Sequence, residues 1–251
     1  MCAHGKLSGF QLPEKDTVSV WVVRVSEMRA SIPSLAPFLS QQERAIATRF
    51  IHEADRERYV VAHGVVRDLL SRYLNIDPEA LAFVTNKFGK PDLVSLGDRP
   101  PLRFNLAHSG DLVLCAVTLE RRVGVDVERV RTDYDVMELA INQFADDEVR
   151  ALRNYSATER PNAFFRCWTR KEAYIKARGE GLALALNQFA VTVSAEEIPK
   201  VCWSSDEVDA AKNWTMVNLE THPGYAAAVV VEGEAVQMTC CRSDYCQIIS
   251  S

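Results

Sequence analysis

Residues 112–118 read Leu-Val-Leu-Cys-Ala-Val-Thr, a nearly continuous apolar run bounded by Gly110-Asp111 on one side and Glu120-Arg121-Arg122 on the other. A short apolar run closed by turn residues and charges predicts a strand whose side chains other elements must cover. Val123-Gly124-Val125-Asp126-Val127-Glu128 follows at once, and the two runs together predict an antiparallel hairpin. In the second strand Val123, Val125 and Val127 point one way while Asp126 and Glu128 point the other. Those two carboxylates therefore stand about 6.5 Å apart along the strand. They repel one another unless a cation lies between them or water screens them. An ordinary amphipathic strand with a solvated polar face would satisfy the second condition.

A helix is predicted over Phe164–Lys176, with Phe164, Trp168 and Ile175 at core-facing spacing and Gly179 and Gly181 stopping the run. Glu172 lies four residues after Trp168 and four before Lys176, so the three share one face. A carboxylate and an ammonium beside a tryptophan on a core-directed face are costly unless something pairs with them. A metal and a phosphate are such partners; an i,i+4 Glu–Lys pair on a solvated edge is the plainer alternative. Asp126, Glu128 and Glu172 together offer three oxygen ligands, a set suited to a hard cation such as magnesium with phosphate completing its shell. Zinc fits poorly, because the five histidines and seven cysteines show no ligand spacing. Calcium lacks its loop pattern.

Upstream, His108-Ser109-Gly110 offers an imidazole, a hydroxyl and backbone N–H groups to an anion. Lys87-Phe88-Gly89-Lys90-Pro91 is a basic turn, and residues 49–67 form a predicted helix carrying Arg56, Arg58 and Arg67. Taken singly, each of these also reads as ordinary surface or structural chemistry.

In order along the chain stand an arginine helix, Gly-Lys-Pro, Phe-Asn-Leu-x-His-Ser-Gly, Gly-Val-Asp-Val-Glu, Trp-x-x-Lys-Glu-x-x-x-Lys and Gly-Leu-x-Leu-x-Leu. From Arg49 to Val191 the sequence resembles the Sfp-type 4′-phosphopantetheinyl transferases. The resemblance implies an α+β fold of two similar α/β subdomains in pseudo-twofold arrangement, with coenzyme A in the cleft between them. It implies transfer of the 4′-phosphopantetheine arm of coenzyme A to a serine of an apo acyl or peptidyl carrier protein, releasing 3′,5′-ADP. Matched motif by motif, Asp126, Glu128 and Glu172 correspond to magnesium ligands. Lys171 and Lys176 correspond to residues that neutralise charge on the pyrophosphate. His108 and Arg58 correspond to contacts to the 3′-phosphate, and Lys90 and Ser109 to the adenine and phosphate region. Glu148 corresponds to an acid suggested to deprotonate the serine, with Glu172 its rival for that role. Ala107 stands where many relatives carry a hydroxyl, so that contact is absent here.

The chain has 251 residues, 47% of them hydrophobic, and a net charge of −5. That length suits one large domain or two small ones, and the division expected is 1–118 and 119–251. The acidic balance argues against a general nucleic-acid binder. The expectation is a cytoplasmic monomer with no membrane segment, its cysteines reduced. Two other classes stay open at this level: a magnesium-dependent hydrolase of coenzyme A or a nucleotide pyrophosphate, and a non-catalytic coenzyme A-binding scaffold.

Overall fold

The computed structural model describes residues 10–94, 97, 100–234 and 237–242. Its first half contains β1 (Thr17–Arg24), β2 (Phe83–Thr85), β3 (Pro91–Leu93), β4 (Leu102–Ser109) and β5 (Leu112–Leu119), with helices α1 (Val25–Met28), α2 (Ile32–Leu35), α3 (Gln41–Ala47) and α4 (Glu53–Leu74). The second half contains β6 (Val123–Arg129), α5 (Val136–Gln143), α6 (Asp146–Arg153), α7 (Arg160–Arg178), β7 (Phe189–Val191) and β8 (Val201–Ser204). It ends with α8 (Ala210–Asn213), β9 (Trp214–Asn218), β10 (Tyr225–Glu232) and β11 (Gln237–Arg242).

The apolar run at 112–118 is a strand buried on both faces. Val113, Cys115 and Val117 enter the core beneath α4, while Leu112, Leu114 and Ala116 enter a second core on the opposite side. A strand covered on both faces belongs in the middle of a sheet, and both edges of β5 are taken, by β4 and by β1, each antiparallel. The expected pairing of residues 112–118 with 123–128 is therefore not formed. The tight turn at Gly110, with φ 55°, closes β4 onto β5 instead. β6 passes into a separate sheet, ordered β6-β10-β9.

Three large cores hold the described residues together, beside a small cluster of Leu39, Ala47 and Val60. One lies between α4 and the sheet ordered β11-β1-β5-β4; another packs α5, α6 and α7 against β9 and β10. The third joins the two sheets, with Val18, Val20, Leu112, Leu114 and Ala116 meeting Val123, Val125, Val127, Val229 and Val231. Each half thus backs antiparallel strands with one long helix, in keeping with an α+β fold. The chain-order division at 118/119 does not describe β11, which returns to the first sheet and pairs parallel with β1.

The alternation read in β6 positions the chemistry. Its valines face the inter-sheet core, so Gly124, Asp126 and Glu128 face α7. A Cβ on Gly124 would lie 2.1 Å from the Ala173 carbonyl oxygen and 2.2 Å from the Ala177 nitrogen. The missing side chain lets helix backbone lie directly on strand backbone. The edge of β6 that faces β4 is satisfied by side chains: Val125 N–H donates to Asn105 Oδ1 at 2.8 Å, and Arg129 N–H to Ser109 Oγ at 3.1 Å.

Candidate active site

Trp168, Glu172 and Lys176, spaced at fours along α7, line one cleft with Asp126 and Glu128 of β6 and Leu106, Ala107 and His108 of β4. Its volume is about 400 Å³. Gly179 ends the helix in the left-handed conformation, φ 73°, directly after its basic last turn. Lys176 Nζ donates to Asp126 Oδ1 at 2.6 Å, while Asp126 Oδ2 is buried without a hydrogen-bond partner. Burial raises the Asp126 carboxyl to about 7, with Glu128 and Glu172 adding repulsion and Lys176 opposing both. Glu172 is raised as well, by burial and then by Glu128, again against Lys176. Ser109 Oγ donates to Glu128 Oε2 at 2.7 Å, so its hydroxyl orients an acid.

His108 stands exposed on the rim of the cleft. The protein packed around its ring lowers its pKa, and the charges of Arg58, His63 and Lys176 act in the same direction. Arg58 donates to the Gly110 carbonyl at 3.2 Å and pairs with Asp55. The cleft thus sets three acids and Lys176 against an imidazole on its rim, with Arg58 close by.

Two expected site residues lie elsewhere. Lys171 is fully buried, and its ammonium donates to both Glu148 oxygens at 2.7 and 2.6 Å and to the Phe189 carbonyl at 2.7 Å. Glu148 also accepts from Val191 N–H at 2.8 Å and Ala145 N–H at 3.0 Å. The pair belongs to the core beneath Phe144 and Phe189, whose rings flank the ammonium. Glu148 and Lys171, expected as base and pyrophosphate contact, thus stand outside the cleft: successive helix residues point about 100° apart, so Glu172 faces the cleft and Lys171 the interior.

Lys90 also lies outside the acidic cleft. Its ammonium donates to the Val123 carbonyl at 2.9 Å and approaches that of Ala177 at 3.5 Å; burial lowers its pKa to about 8. With Asn86, whose side chain donates to the Gly179 carbonyl at 2.6 Å, it ties the β2–β3 turn to the end of α7. Lys90 lines a smaller pocket of about 190 Å³ with Arg103, Arg122 and Arg178.

The sequence reading missed Asn105, His63 and Gly124. Asn105 carried a signal, being a lone amide between Phe104 and Leu106 in an apolar strand. A second cavity of about 400 Å³ lies between α6 and the β7–β8 ribbon, lined by Asp147, Glu148, Glu197 and Cys202 among others. No basic side chain lines it, so it suits a phosphorylated ligand poorly.

The donor set at Asp126, Glu128 and Glu172 fits a hard cation by its chemistry, and the partnerless Asp126 oxygen supplies a free ligand atom. As the side chains stand, no group of three or more potential ligands among the described residues is assembled to hold a metal. Among those residues no helix is long and apolar enough to cross a membrane.

Two family models match the chain: "4′-phosphopantetheinyl transferase, N-terminal" over residues 26–120 and "4′-phosphopantetheinyl transferase superfamily" over 122–230. The 4′-phosphopantetheinyl transferase HetI of Nostoc sp. is 34% identical over 221 residues, covering 87% of this chain and 89% of that protein. The 4′-phosphopantetheinyl transferase Sfp of Bacillus subtilis is 30% identical over 197 residues, covering 76% of this chain and 81% of that protein. The similarity to both relatives runs through most of the chain. The protein belongs to the 4′-phosphopantetheinyl transferase superfamily and is an enzyme that moves a 4′-phosphopantetheine group.

Proposed function

We propose that the cleft between β4, β6 and α7 holds the pyrophosphate of coenzyme A with a magnesium ion, and that the 4′-phosphopantetheine arm passes there to a serine of an apo acyl or peptidyl carrier protein. The observation that carries this reading is the meeting of Asp126, Glu128 and Glu172 with Lys176 and His108 in one cleft. Asp126, through its free oxygen, would hold the ion together with Glu128 and Glu172. When bound, the ion neutralises charge on the phosphates and on the departing 3′,5′-ADP.

The remaining work falls to the chain itself. Lys176 neutralises negative charge on the pyrophosphate as the bond to the leaving group breaks. Arg58 supplies positive charge and His108 a ring N–H to the 3′-phosphate. Glu172 is the better-placed base, because Glu148 is locked to Lys171 and two backbone amides. Ser109 beside the cleft has its hydroxyl committed to Glu128, which supports direct attack by the carrier serine. The buried free thiols of Cys115 and Cys167 fit a reducing, cytoplasmic setting.

The test is mass spectrometry of apo acyl and peptidyl carrier proteins incubated with the enzyme, coenzyme A and magnesium. A gain of one phosphopantetheine on the carrier serine, lost with a chelator, is the expected result. Cleavage of coenzyme A without carrier labelling would point to a hydrolase. Coenzyme A binding with neither outcome would point to a scaffold.

A further inference from the structure

The acidic cleft already carries a cation of its own. Lys176 Nζ sits 2.6 Å from Asp126 Oδ1, and the pair joins a nearly buried carboxylate to a side chain 30% exposed. The other oxygen of Asp126 is buried and bonded to nothing. Glu128 and Glu172 line the same space and repel negative charge on Asp126. The lysine is held there by the fold: with no side chain on Gly124, the backbone of α7 at Lys176 lies within 2.8 Å of where a Cβ would stand. One flexible ammonium thus serves a cluster of three acids, and a divalent metal on the free oxygen of Asp126 would share that carboxylate with the ammonium and repel it.

Building on the function proposed above, we infer that Lys176 is a tethered occupant of the cation site, which gives up Asp126 when a divalent metal enters and transfers to a phosphate of coenzyme A. The lysine has two alternative anions, and the two ligands exchange it between them. A metal arriving alone must push the ammonium off a carboxylate with no new anion to receive it. Coenzyme A arriving alone must draw the ammonium from Asp126 and leave a buried carboxylate uncompensated, which is costly. Arriving together, each removes the other's penalty. Metal and coenzyme A therefore bind with positive coupling, and linkage requires the same factor in both directions.

The test uses manganese(II) as the probe, its binding followed by electron paramagnetic resonance and calorimetry, without and with coenzyme A, in the intact enzyme and in Lys176→Met. The intact enzyme should bind manganese at least about tenfold more tightly when coenzyme A is present. Lys176→Met should bind manganese alone about tenfold more tightly than the intact enzyme, and its coupling to coenzyme A should fall to roughly threefold or less. A variant that binds manganese alone no better, or keeps the full coupling, overturns the inference while leaving the proposed function standing. An intact enzyme that loads carriers yet binds no manganese under either condition removes the metal reading, and the inference with it.

Removing a positive charge raises metal affinity even from a distance, so a second readout on the unaltered protein is needed. Acylation of Lys176, followed by peptide mass spectrometry, should rise when manganese alone is added and fall again when coenzyme A joins it. Labelling that manganese leaves unchanged overturns the displacement.

Discussion

Gly124→Ala adds one methyl group at the tightest of the described glycine positions. The added Cβ would lie 2.1 Å from the Ala173 oxygen, 2.2 Å from the Ala177 nitrogen and 2.8 Å from the Lys176 carbonyl carbon. All three are helix backbone, so no side-chain rotation relieves the clash. Reaching ordinary contact requires α7 to retreat from β6 by about 1 Å. Overpacking of this kind costs about 3 kcal/mol, the upper end of what small-to-large core changes produce, because two elements must separate along a whole interface. For a chain of this size that is roughly a 6–12 °C drop in melting temperature. The same shift moves Glu172 and Lys176 away from Asp126 and Glu128, and a displacement of about 1 Å in positioned groups lowers turnover by roughly 100-fold. Scanning calorimetry and carrier-loading kinetics check both numbers. A Gly124→Ala protein with the parent melting temperature and turnover would show that α7 does not rest on β6 as described.

Three further outcomes are expected. Lys171→Met should destabilise the protein by about 3–5 kcal/mol, because it strands the buried Glu148 charge, whereas Glu148→Gln with Lys171→Met together should recover most of the loss in denaturant titrations. Glu148→Gln that stayed fully stable but lost turnover would return that residue to the chemistry. His108→Ala should weaken coenzyme A roughly tenfold and dephospho-coenzyme A little, measured by calorimetry; equal losses would remove it from the 3′-phosphate. Glu43 is half-buried, which favours its neutral form, but hydrogen bonds from His63 and Ser40 and the Arg67 charge outweigh this and hold its carboxyl at about 2. Its contribution is present above the ordinary value of 4.5 and lost as pH falls from there towards 2. Glu43→Gln should therefore cost about 1–2 kcal/mol at pH 7, and denaturant titrations should show the gap closing by pH 2.

The alternation of Val123–Glu128 and the four-residue spacing of Trp168, Glu172 and Lys176 were legible because each depends only on the period of its own element. The partners of β5 were not. A strand apolar on both faces has two edges in equal need of neighbours, and no residue within it says which strands supply them. Gly110-Asp111 was visible as a boundary, but its use as the β4–β5 turn became clear only with both strands in place. The return of β11 to β1 is a long-range parallel pairing with no local signature at all. The anchoring of Lys90 was hidden for a related reason: a basic turn reads as a solvated surface loop, whereas its ammonium is bound by carbonyls from two distant elements.

Helix α7 shows how two constraints overlie each other in one motif. Phe164, Cys167, Lys171 and Tyr174 follow the three-and-four spacing of a core stripe, and all four are almost wholly buried. Trp168, Glu172 and Lys176 form a neighbouring stripe that opens on the cleft. In the linear sequence Lys171 and Glu172 are adjacent and look like one chemical unit, yet they belong to different stripes. A charge in the core stripe requires a buried partner, which α6 supplies as Glu148; the charges of the cleft stripe require a partner that can leave, since substrate must take its place. The two lysines mark the difference. Lys171 is bound by two carboxylate oxygens and a carbonyl, whereas Lys176 has one carboxylate oxygen and a path to solvent. Substitutions along the core stripe should therefore change stability, and substitution of Glu172 on the cleft stripe should change binding and turnover while leaving melting nearly constant. A helix on which the two effects were mixed residue by residue would contradict this division of labour.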